Sequence, residues 1–183
     1  MSRDALHVVD DLALDRGTGR TDGVRIVGHV VAEMFGPDGV LKASVESHNL
    51  ITAVGDQLYA SRGAGLTSSA VPTGMKLGTG STAVAKTGAG AALVTYLSGS
   101  NKTFDATFPS ATGGVATYKR TYAAGEATTA SAITEAVIVN DTIATDATSA
   151  AAATISRVLL TGIGSKGASD TLTITWTHTI LGA

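Results

Sequence analysis

Residues 24 to 48 leave the backbone little choice. "VRIVGHVVAEMF" and "VLKASVESH" alternate apolar and polar side chains on either side of "GPDG", where Pro presets φ and Gly closes a chain reversal. Pairing Phe35 with Val40 sets Met34 opposite Leu41, Ala32 opposite Ala43 and Val30 opposite Val45, which makes one face apolar throughout. The other face then opposes Glu33 to Lys42 and His29 to Glu46. A slip of one residue would mix the two faces, so the pattern specifies an antiparallel hairpin with one buried side.

The C-terminal segment has the same period. Leu172, Ile174, Trp176, His178 and Ile180 share one side of an extended strand, and Thr171, Thr173, Thr175, Thr177 and Thr179 share the other. Between these two anchors, "MKLG", "ALVTYLSGS", "NKTFDATFP", "VATYKRTYAAG", "AITEAVIVN" and "ATISRVLLTGIG" read as strands punctuated by Gly, Ser, Asn or Pro. One interruption is helical. Thr52 is a suitable N-cap, Leu58 and Tyr59 are apolar anchors, and Gly63 and Gly65 stop a short helix over about residues 53–62. Composition agrees, with 44% hydrophobic residues, 22 glycines and only 15% charged residues, which suits a sheet protein rather than a helical bundle. The expected fold is mainly β: an antiparallel β-sandwich or jelly-roll-like barrel with one short helix and an extended N-terminal arm. Residues 1–22 form the arm and residues 23–183 a single antiparallel β domain.

Several function classes lose their footing at this point. A formal net charge of −2 creates no field that draws nucleic acid or an acidic membrane. Cysteine is absent, no apolar run is long enough to span a bilayer, and the N-terminus lacks a signal-peptide core. "GSTAVAKT", residues 80–87, is one residue short of a phosphate-binding loop, because Ala85 stands where the second glycine belongs. A short strand precedes it, and Gly88 and Gly90 oppose the helix that must follow. Asp141, after the apolar run "AVIVN", imitates a magnesium carboxylate only superficially. "GIGSKG", residues 162–167, satisfies G-x-G-x-x-G but leads into a strand, so it reads as a hairpin connection with Lys166 a solvated turn charge. His7, His29, His48 and His178 show no metal-ligand spacing, although His29, His48 and Glu46 could share one hairpin face. No catalytic, cofactor-binding or metal residue is assigned.

The order of the segments carries a resemblance. An early hairpin is followed by "HNLITAVGDQLYASR", then "MKLGTGSTAVAKTGAGAAL" with "TYL" shortly after, then "AITEAVIVND" centred on Glu135. "SRVLLTGIGSKGASDTLTITWTHTIL" closes the domain with a Lys-Gly turn and a Thr-rich strand around Trp176. Over roughly residues 24–183 this set resembles tailed-bacteriophage virion structural proteins. The resemblance implies a non-enzymatic particle component, a homo-oligomer assembled into virions in the host cytoplasm, without cofactor or direct nucleic-acid contact.

Such proteins include capsid decoration (cement) proteins and tail, baseplate or fibre-associated components. A compact chain without coiled-coil heptads or a repetitive shaft favours the head, with the major capsid protein as partner. The expected contact residues are Leu6, Val8, Val9, Leu12 and Leu14 in the arm, and His29, Glu33, Lys42 and Glu46 on the polar hairpin face. The alternatives are a tail or baseplate component and, more remotely, a nucleotide- or metal-dependent enzyme.

Overall fold

The structure, a computed structural model, describes residues 24–182, so the expected N-terminal arm lies outside the described residues. Strands β1 (Val24–Phe35) and β2 (Leu41–Ile51) form the hairpin, and helix α1 (Ala53–Gly63) follows directly. The chain then lays down β3 (Gly74–Gly78), β4 (Ser110–Thr112), β5 (Val115–Tyr122), β6 (Glu135–Val139), β7 (Thr154–Leu159) and β8 (Thr171–Gly182). All neighbouring strands are antiparallel, in the order β3-β6-β7-β2-β1-β8-β5-β4, and the sheet curls into a half-barrel.

The curl turns on β2. Most of this strand pairs with β1, but its last residues, Leu50 and Ile51, pair with Arg157 and Ser156 of β7. Two limbs result, and their inner faces share one core. Val30, Met34, Tyr118, Ile174 and Trp176 come from one limb; Met75, Leu77, Ile138, Ile155 and Val158 come from the other. Helix α1 rests on β7 and adds Leu58 to the same core. Strands β3 and β6 are buried along their whole length, because loops also cover their outer side. There Leu93, Val137 and Val139 form a second cluster with Tyr96 and Ile143. Burial on both faces explains why "AVIV" is apolar without alternation.

Local signals are borne out where they were strongest. Thr52 caps α1, its hydroxyl accepting from Gly55 N at 3.2 Å. Trp176 is fully buried on the apolar side of β8.

The hairpin register differs from expectation. Met34 faces Ala43, Ala32 faces Val45 and Val30 faces Ser47, a displacement of two residues that keeps the apolar face but breaks each expected pair. Gly36 N bonds Val40 O across the turn, and the register then shifts between Met34 and Phe35, leaving Lys42 without a partner on β1. Lys42 instead reaches out to Asp170 at 2.7 Å, and Glu33 faces Ser44. Nor are "ALVTYLSGS" and "NKTFDATFP" strands. Each touches β3 through one isolated bridge, Tyr96 to Gly78 and Lys102 to Met75, and otherwise runs as loop.

Candidate functional site

The phosphate-loop lookalike is held by a buried ion pair. Glu135 on β6 and Arg157 on β7 lie on adjacent strands, both fully shielded from solvent. Arg157 Nε and Nη2 donate to Glu135 Oε2 at 3.0 and 2.7 Å. The pair also grips the loop between β3 and residue 95. Glu135 Oε1 accepts from Gly80 N at 3.1 Å and Thr95 N at 2.8 Å, while Oε2 accepts from Val94 N at 3.3 Å. Arg157 Nη1 donates to the carbonyls of Thr82 at 2.8 Å and Gly90 at 3.2 Å. The loop's backbone N–H groups thus converge on an anion, and that anion is the protein's own carboxylate. Gly80 is needed for this approach, since a Cβ there would lie 2.4 Å from Glu135 Oε1. The residues after Thr87 form only a four-residue 3-10 helix, Gly88–Ala91.

The other motif residues have comparable duties. Lys86 pairs with Asp56 of α1 at 2.6 Å, and its carbonyl accepts from Ala53 N, tying the loop to the helix N-terminus. Asp141 accepts from Ser149 Oγ at 2.6 Å and pairs with the buried Lys76 at 3.2 Å. Lys166 corrects an expectation: it is fully buried rather than solvated, and its Nζ donates to Ala123 O at 2.9 Å. Burial pushes its pKa down. The turn at "GIGSKG" therefore folds back over the end of β5 instead of projecting from it.

A polar chain crosses the inner face of the half-barrel. His178 Nδ1 lies 2.5 Å from Tyr59 Oη, which lies 3.1 Å from Tyr118 Oη. On its other side, Nε2 lies 3.3 Å from Asn49 Nδ2, which also bonds Ser156 Oγ. Ser156 Oγ donates to Leu50 O, so it must accept from Asn49. Asn49 is then the donor to Nε2, which fixes His178 as the neutral Nδ1–H tautomer donating to Tyr59. Burial lowers the His178 pKa to about 3 and raises those of Tyr59 and Tyr118, so all three stay neutral near pH 7. Beside Tyr59 lies a groove of about 800 Å³, lined by Val24, Ile26, Ala60 and Ile180 together with Asp56 and Arg62.

The expected contact residues divide. Leu6, Val8, Val9, Leu12 and Leu14 lie outside the described residues. His29, Glu33 and Glu46 do share the outer face of the hairpin, where His29 Nε2 approaches Glu46 Oε2 at 3.6 Å. His48 joins them, its ring centroid 5.8 Å from that of His29. Lys42 departs from this group because its ammonium is engaged by Asp170.

The Glu135–Arg157 clamp was not assigned from the sequence. Its signal was a single charge of each sign inside otherwise apolar strands, "TEAVIV" and "ISRVLL". Among the described residues no group of three or more His, Asp or Glu is placed to hold a metal, and no helix is long and apolar enough to cross a membrane. No family model, curated protein or solved structure matches the chain.

Proposed function

We propose that the chain is a non-enzymatic structural protein of a tailed-bacteriophage particle, and within the particle a capsid decoration protein bound to the outer shell. In this reading the curled sheet is a sandwich-like or jelly-roll-like body, and the N-terminal arm bridges subunits of the major capsid protein. One observation carries it. The segments whose order resembles virion proteins form the frame of the fold: the β1–β2 hairpin, the Thr52-capped helix, the β3 loop, β6 at Glu135, and β7–β8 around Trp176. The clamp that joins three of them directs its charged groups inward, to each other and to loop backbone. That is the use expected of a scaffold.

The mechanism is thermodynamic linkage. A protein that binds only the assembled, expanded lattice stabilises it by the binding free energy, repeated over many copies. Deleting residues 1–22 and mixing the product with empty expanded capsids tests the arm. Lost occupancy and lost heat resistance of the particles are expected. Undiminished occupancy would overturn the arm as a clamp, and a tagged copy seen on the tail by negative stain would overturn decoration itself.

A further inference from the structure

Strands β2, β1, β8 and β5 present an outer face with an ordered distribution of charge. Its centre is the β8 column Thr171, Thr173, Thr175, Thr177 and Thr179, all partly exposed, with Thr117 and Thr121 of β5 directly beside Thr177 and Thr173. Charge lies on the flanks. Lys119 on β5 sits opposite Thr175. On the other side Glu33 of β1 sits opposite Thr173, and Glu46 of β2 sits opposite Val31, itself opposite Thr175. Among the described residues neither Lys119 nor Glu33 has a salt-bridge partner, and Glu46 reaches only His29. Asp105, beside β5, is already engaged by Thr121 and Arg120.

A base on one flank, the two acids with His29 and His48 on the other, and a neutral column between them make this face complementary to itself; Arg25 lies past the end of the column, opposite Leu181. We propose that it is where two copies of the chain join, related by a two-fold axis running along β8. That rotation lays one Thr column over the other. It carries Lys119 of each copy above Val31 of its partner, between Glu33 and Glu46. A two-fold axis across the strands would set Lys119 against Lys119 and acid against acid, so charge selects the first arrangement. A centre without ionised groups and a charged rim is the usual anatomy of an interface. Strands about 4.8 Å apart and a rise of about 3.3 Å per residue give a face of roughly 20 by 30 Å. At most about 1,200 Å² would be buried in total, since the sheet bends away at β2, which makes the contact a modest, reversible one.

Sedimentation of the purified full chain between about 1 and 200 µM provides the test, since a modest interface dissociates in that range. It needs no capsid, so its outcome is separate from that of the virion reading. The expected result is a concentration-dependent dimer that Lys119→Glu or Glu33→Lys each weakens by about tenfold or more. The double variant exchanges these two charges but keeps Glu46, so it should recover part of the lost affinity and bind more tightly than either single variant. Buried Trp176 fluorescence reports whether each variant is folded. Thr175→Arg offers a separate check, because it adds like charge on the axis itself and should abolish the dimer. The proposal is overturned by a wild-type monomer at the highest concentration, by a dimer indifferent to the single reversals or to Thr175→Arg, or by a double variant that binds no more tightly than the single ones.

Discussion

Glu135 and Arg157 can share the core only because each satisfies the other and the surrounding backbone. Removing one partner should therefore cost far more than the net worth of the pair. Arg157→Met keeps the volume but strands a carboxylate and releases two loop carbonyls, and we expect a loss of about 3–5 kcal/mol. Glu135→Gln keeps the shape, but it leaves the Arg157 charge without a counter-ion and turns an NH2 donor towards groups that donate, so a comparable loss of about 3–5 kcal/mol is expected. Urea denaturation midpoints measure both; sub-kilocalorie effects would contradict the clamp. His178 gives a pH signature at the same scale. Its folded pKa is about 3 against 6.5 unperturbed, so between those values the unfolded chain binds a proton that the folded chain does not. Stability is then full above pH 6.5 and falls as pH drops towards 3, by at most about 1.4 kcal/mol per unit. Asp146, lowered to about 2 chiefly by Gly99 N–H, loses its contribution only below its ordinary value of 3.8. Glu126, also held below its ordinary 4.5, starts to lose its contribution as the pH nears that value, so denaturation between roughly pH 5.5 and 6.5 isolates the histidine, and His178→Gln should flatten that part of the profile.

At the level of elements, α1 shows where sequence reasoning holds and where it stops. The cap at Thr52 and the helix length are local properties, and both were legible. Gly55 was not. Helix propensity alone would favour alanine there by about 1 kcal/mol. In the folded protein a Cβ at that position would lie 2.3 Å from Ile155 O, backbone that cannot move aside cheaply. We expect Gly55→Ala to destabilise by about 1–3 kcal/mol despite its better propensity, measured as a lowered urea midpoint. The same division explains the hairpin. Alternation specified which side of β1 and β2 is buried, and that side is the buried one. The register was displaced because the turn closes one residue later, with Phe35 facing Leu41, and Lys42 then bulges out of the ladder; its partner Asp170 lies 128 positions away, where no local pattern points. Likewise "ALVTYLSGS" has strand-like composition, but Glu135 takes the N–H groups of Val94 and Thr95 that a ladder would need. The candidate site was legible as anomalies, one acid and one base in apolar runs. Their partnership was hidden because it joins two strands and a loop that meet only in the folded chain.

Across the whole molecule, the curl poses a question of cooperativity. The ladder that joins the limbs is short, Leu50 and Ile51 of β2 against Arg157 and Ser156 of β7, a seam that backbone bonding alone would make easy to open. The core decides otherwise. Leu77, Ile138 and Val158 of one limb belong to the same cluster as Met34, Ile174 and Trp176 of the other, so opening the seam exposes both inner faces together. Apolar burial of that kind contributes about 25 cal/mol per Å², which for several large side chains far exceeds a pair of backbone bonds. The chain should therefore unfold as one unit. Trp176, the sole tryptophan, reports on the β8 limb, while far-UV circular dichroism reports on the whole sheet. The two urea curves should superimpose, and Leu77→Ala, in the limb without the tryptophan, should shift both midpoints equally by about 2–5 kcal/mol of stability. A fluorescence curve that stays in place while the dichroism curve moves would mean that the limbs fold separately, and that β2 is a hinge rather than a bend.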